Sequence, residues 1–189
     1  MKRQLSYIKA VVICHGKSEK QIAEFIKNKL RLRIDIDSKN NGKNSIQITS
    51  LMRFLNSRKY KSKKDFLNFY KNDLDKLNDD FKIFTIMDTD DCTKKQKEAY
   101  LNKSMFKEHW LHPYIVPIAN SPELESVLVQ SKIKFNKKGD KRKGEYISIF
   151  PTDPRYQKSD IIQLEEFLEN LKKCSSTNMN EFIEFCLNL

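Results

Sequence analysis

The run Phe81-Lys82-Ile83-Phe84-Thr85-Ile86-Met87 leads directly into Asp88-Thr89-Asp90-Asp91. A segment this rich in apolar, β-branched and aromatic residues reads as a buried strand. A strand buried on both sides needs a sheet with both faces covered, which restricts the chain to few architectures. Three carboxylates in four positions then close the run. In an extended backbone Asp88 and Asp90 leave on the same face. Carboxylates held that close repel unless a cation lies between them, and hard oxygen donors suit Mg²⁺ or Mn²⁺. Acids also end strands and open turns. The pattern alone leaves both readings open.

A second buried strand is expected over Tyr7 to Cys14, where Val11, Val12 and Ile13 are contiguous. The turn His15-Gly16-Lys17-Ser18 follows. Ile22, Phe25, Ile26 and Leu30 then recur at helical spacing, predicting a helix over about Glu19 to Arg31. Short strands are expected over Arg31 to Asp37 and Ser45 to Thr49. A helix opening is expected over Leu51 to Leu55, and an amphipathic helix over Asp65 to Leu77. Thr93 is placed to cap a helix reaching about Lys107. A strand is expected over Leu111 to Ile118. Ser121-Pro122-Glu123 reads as a cap followed by Pro at the first helical position, opening a helix to about Ser131. Tyr146 to Phe150 is a candidate short strand, and helices are expected over Asp160 to Lys172 and Asn180 to Leu189. Strands alternating with helices argue for a mostly parallel α/β sheet with helices on both faces.

At 189 residues one domain is the default. The core is expected over about residues 1–134, and a basic loop with a C-terminal helical extension over about 135–189. Lys plus Arg number 36 against 25 Asp plus Glu, a formal net charge of +11. Such a surplus favours polyanionic partners, nucleic acid first. Cys14, Cys92, Cys174 and Cys186 show no paired spacing, so neither a disulfide framework nor a zinc knuckle is expected. No run of apolar residues is long enough to span a bilayer, and no export signal is read, so a cytoplasmic protein with reduced thiols is expected. His109-x-x-His112 lacks a third ligand and reads as packing. Gly16-Lys17-Ser18 lacks the upstream glycine of a phosphate-binding loop.

The strand-end pair His15-Gly16-Lys17-Ser18-Glu19 and Asp88-Thr89-Asp90 resembles the TOPRIM domain of topoisomerases, primases and several nucleases. It is most similar to the OLD-nuclease and RloB-like branch, whose first motif is Glu-Gly-x-Ser/Thr-Glu. Gly16, Ser18 and Glu19 match that motif. Asn120-Ser121-Pro122-Glu123-Leu124-Glu125 is similar to the branch's Asn-Pro turn and its following Glu, with Glu125 in the matching place and Glu123 as an alternative. Tyr156-Gln157-Lys158 looks like its Tyr-x-Lys. The resemblance covers about the first 160 residues. It implies a TOPRIM-like, Rossmann-like fold and a metal-dependent nuclease acting on DNA or RNA, with phage defence as its setting.

By this resemblance Asp88, Asp90, Glu19 and Glu125 would hold Mg²⁺ or Mn²⁺. Lys158 would stabilise charge on the phosphate or the leaving oxygen. The chain departs from the motif at one place: the first Glu is His15. An imidazole there is a softer ligand or a base near neutral pH, or it marks a non-catalytic module that binds nucleic acid or another protein. Candidate phosphate contacts are Lys59, Lys61, Lys63, Lys64, Lys137, Lys138, Lys141, Arg142 and Lys143, with Tyr60 as a base-stacking ring. A partner protein or a homo-oligomer is compatible with this reading.

Overall fold

The computed structural model describes residues 8–70, 77, 80–131 and 160–189. Four strands form one all-parallel sheet: β1 (Ala10–Cys14), β2 (Ile34–Asp37), β3 (Lys82–Asp88) and β4 (Ile115–Asn120), in the order β2-β1-β3-β4. The two long apolar runs are neighbours at its centre, paired from Ala10 with Lys82 to Cys14 with Ile86.

The pleat divides their side chains between two cores. Ala10, Val12 and Cys14 face one side, where α1 (Lys17–Lys29), α5 (Leu124–Gln130), α6 (Asp160–Lys172) and α7 (Asn180–Leu187) pack. Val11 and Ile13 face the other, under α2 (Ile48–Leu55), α3 (Lys63–Phe69) and α4 (Lys94–Leu101). All five β1 side chains are buried, and Val11, Val12 and Ile13 contribute roughly 1.5–3 kcal/mol each. The result is a Rossmann-like α/β fold.

Local chemistry sets the element ends. Gly16 caps α1 without a side chain, and its N–H donates to Glu19 Oε2 at 2.8 Å. Ser62 Oγ accepts the Asp65 N–H to open α3, and a Thr93–Gln96 capping box opens α4. The outer edge of β4 is blocked by the segment before α7. Asn178 accepts from the Ala119 N–H and donates to the Pro117 carbonyl, each at 2.9 Å.

Several expectations are corrected. Residues 45–47 are not a strand. Ile46 N–H makes one bond to the His15 carbonyl, at 2.7 Å, after which Ile48, Leu51 and Leu55 turn into α2 on one apolar face. Helix α4 stops at Leu101 because Lys103 takes a left-handed backbone, and a short 3-10 turn follows. Pro122 is not the first residue of α5, which starts at Leu124 with Glu123 as its cap. The basic loop from Lys137 to Lys143, Tyr146 to Phe150 and Tyr156-Gln157-Lys158 lie outside the described residues.

Candidate functional site

In a parallel sheet every strand delivers its carboxyl end to the same edge. The order β2-β1-β3-β4 makes the chain leave β1 toward β2 on one side and return to β3 on the other. The crevice between β1 and β3 is therefore the topological switch point, where open α/β sheets place their ligands. His15 follows β1 there, Glu19 stands in the first turn of α1, and Asp88 ends β3.

Glu19 is 2% exposed and Asp88 7%. Acids this buried are unusual without partners, and theirs are specific. Glu19 Oε2 takes the Gly16 N–H. Asp88 Oδ1 takes the Leu124 N–H at 3.1 Å and Asn120 Nδ2 at 3.4 Å. Asp88 Oδ2 faces His15 Nε2 at 4.0 Å, too far for a hydrogen bond. His15 Nδ1 is buried with no hydrogen-bond partner among the described residues.

Burial first, and neighbouring acids second, raise the pKa of both groups. Burial first, then the charge of Glu19, pushes the Asp88 carboxyl up to about 9; Glu125 and Asp90 add to this, while the Asn120 hydrogen bond opposes it. Burial likewise raises Glu19, against its two backbone hydrogen bonds and His15, with Glu125 adding a further push. Two acids with raised pKa values at a strand-end crevice mark a functional-site candidate.

Asp90 does not join Asp88 on one face. The strand ends at Asp88, and the Thr89 N–H turns to the carbonyls of Asn120 and Pro122, which leaves Asp90 exposed in a turn. Glu125 is half-buried in the first turn of α5 and acts on both buried acids through its charge. Lys158 lies outside the described residues, as do Lys137, Lys138, Lys141, Arg142 and Lys143. Among the described residues, no three His, Cys, Asp or Glu side chains gather as a metal-binding group.

Asn120, read in the sequence only as the opening of a turn, is itself a residue of the site. It is fully buried and opposite Asp88 in register, and its Oδ1 accepts from Thr177 Oγ1 at 2.9 Å. The available signal was its position, a polar residue closing the apolar run Ile115–Ala119.

Two residues of the basic segment after α2, Lys59 and Tyr60, do not face solvent as expected. Lys61, Lys63 and Lys64 are exposed. Tyr60, however, is 2% exposed, donates its hydroxyl to Asp37 at 2.8 Å and packs between Phe54 and Phe66, so its ring is not open to a base. Lys59 is drawn inward between Asp35 and Asp37, at 3.1 and 3.2 Å. Those two acids alternate along β2 and so share a face. Burial pushes Asp35 up, but the Tyr70 hydroxyl and Lys59 outweigh it and hold the group below its usual value. Replacing Lys59 with Ala strands two adjacent carboxylates. It is expected to cost about 1–3 kcal/mol, discounted for their partial exposure, as a lower urea midpoint at unchanged slope.

His109 behaves as packing: buried, with its ring nitrogens beside the Leu55 carbonyl and the Leu111 N–H. No helix among the described residues is long and apolar enough to cross a membrane. No family model, curated protein or solved structure matches the chain.

Proposed function

We propose that this protein is a TOPRIM-type, metal-dependent nuclease that cleaves phosphodiester bonds in DNA or RNA. The observation that carries this reading is the buried pair Glu19 and Asp88, set at the β1–β3 switch point with His15 beside them.

The donor chemistry fits a hard divalent ion. Two buried carboxyl groups with raised pKa values hold protons that a cation would displace, and His15 Nδ1 has no hydrogen-bond partner among the described residues. Glu19 and Asp88 would hold Mg²⁺ or Mn²⁺, and Glu125 and Asp90 are the further acids of the same edge. A bound ion would polarise the phosphoryl oxygen and make water a stronger nucleophile near neutral pH. The chain's own residues do the rest. Gly16 and Leu124 N–H groups and Asn120 fix the two carboxylates in place. The His15 imidazole is placed to take a proton from water or to return one to the leaving oxygen. The net charge of +11 supports a polyanionic substrate.

A second reading is a nucleic-acid-binding or interaction module without catalysis. It is favoured by His15 standing where the motif has Glu and by the lack of a three-ligand group among the described residues. Plasmid, linear DNA and RNA incubated with Mg²⁺ or Mn²⁺ separate the two. Cleavage that stops with a chelator is expected; salt-sensitive binding with no cleavage of any substrate would establish the module. In the same assay His15→Glu is expected to lower the rate if the imidazole moves protons. A gain in Mg²⁺-supported cleavage would instead make His15 a degraded ligand.

A further inference from the structure

A cavity of about 610 Å³ lies at the carboxyl end of β2, beside the acid site. That is the size of a small-molecule site, and its lining is mixed. Phe54 supplies an aromatic wall and Phe69 a second ring. Phe69 is 58% exposed, the most open large apolar side chain among the described residues. It is nonetheless held: the Lys59 ammonium sits 4.4 Å from its centroid, and Tyr70 meets it edge-on at 5.0 Å. An exposed but fixed ring at a cavity is a stacking platform.

The remaining lining gives the ligand its charge. Arg53 and Lys39 are exposed at the cavity, and neither makes an ion pair among the described residues. The acid of the wall, Asp37, is already met by Lys59, Tyr60 and the Ser38 N–H. Ser38 Oγ is buried and has no hydrogen-bond partner among the described residues. Aromatic faces and two unengaged cations together call for a planar anion.

The cavity is also joined to the acid site. Its wall residue Ile46 donates its N–H to the His15 carbonyl at 2.7 Å. The loop it shares presses on the start of α1 so closely that a Cβ on Gly42, which has a φ of +80°, would lie 3.0 Å from Lys17 Cα.

We propose that this cavity binds one nucleotide unit, with its base on Phe69 and Phe54 and its phosphate on Arg53 and Lys39. The ligand is a free nucleoside monophosphate or a nucleotide of a strand whose next phosphates run to Glu19 and Asp88. The second source rests on the nuclease reading; the pocket itself does not.

The test uses the whole protein in EDTA, so that it does not depend on metal chemistry. The single tryptophan, Trp110, donates to the Tyr60 carbonyl at 2.8 Å behind the cavity wall and serves as the fluorescence reporter. Probes are nucleoside 5′-monophosphates, short single-stranded oligonucleotides and inorganic tripolyphosphate. Phe69→Ala and Arg53→Glu, both at exposed positions, are each expected to weaken binding on the order of tenfold. Lys107→Glu, an exposed cation ahead of β4 at the opposite sheet edge, is expected to change it little. Weakening with monophosphates and oligonucleotides alike assigns the site to free nucleotides, and weakening with oligonucleotides alone assigns it to a strand. Absent binding, binding unchanged in either variant, or tripolyphosphate binding as tightly as a nucleotide overturns the proposal. Cleavage that persists when nucleotide binding is absent leaves the acid site standing without the pocket. Nucleotide binding without any cleavage leaves the pocket standing without the nuclease.

Discussion

Asp88→Asn is expected to melt about 3–10 °C above wild type at pH 8 and close to it at pH 4. Burial, followed by the charge of Glu19, pushes the folded carboxyl up to about 9, whereas the unfolded chain ionises near 3.8. The folded state therefore holds a proton that the unfolded state releases. Stability from this group is fully present below the unfolded value and is lost as pH rises through the folded one. Asparagine cannot ionise, yet it keeps an oxygen for the Leu124 N–H and for Asn120, which now hold Asp88 Oδ1. It therefore lacks this loss, which grows as pH climbs from the unfolded value towards the folded one. Millimolar Mn²⁺ is expected to stabilise wild type by mass action and to close most of the gap, with little effect on the variant. Melting curves across pH, with and without the ion, check both halves. Equal pH slopes in the two proteins would mean that Asp88 titrates normally.

The second large effect falls on activity. Glu19→Gln and Asp88→Asn are each expected to lower cleavage at least about a hundredfold, the scale of losing a group that stabilises charge at a reacting phosphate. Asp90→Asn is expected to do less, because Asp90 is exposed in the turn beyond β3. Glu125→Gln falls between them: its charge reaches both buried acids, but it is only half-buried. Ranking the four rates against a common substrate checks this order. A dominant effect at Asp90 would move the centre of the site out of the β1–β3 crevice.

Much of the frame was legible because it depends on local pattern. Contiguous apolar runs announced β1 and β3, and their polar ends put His15, Glu19 and Asp88 at one sheet edge once the sheet was taken as parallel. Ile46 and Ile48 alternate like a strand, yet Ile48 belongs with Leu51 and Leu55, and that helical set decides the segment. The same-face argument for Asp88 and Asp90 required the strand to continue two residues beyond Asp88, whereas it ends there and Thr89 bonds across to Asn120.

What stayed hidden depends on distant pairing. Lys59 and Tyr60 sit in a run that reads as a solvent-facing basic stretch. Asp35 and Asp37, more than twenty residues earlier, pull both inward. No linear pattern shows that a strand with two acids on one face will find its counter-charge there. Asn120 became a site residue only through its register with Asp88. The cavity at the end of β2 follows from Lys59 bracing Phe69, and so from the same long-range ion pair.

The most direct measurement is a single-turnover time course on end-labelled DNA and RNA with Mn²⁺, comparing wild type with Asp88→Asn, both shown to melt cooperatively. Shortened strands that accumulate with wild type, stop with chelator and are nearly absent with the variant are the predicted result. Equal cleavage by the two proteins would contradict the assignment of the Glu19–Asp88 pair as the cleaving centre.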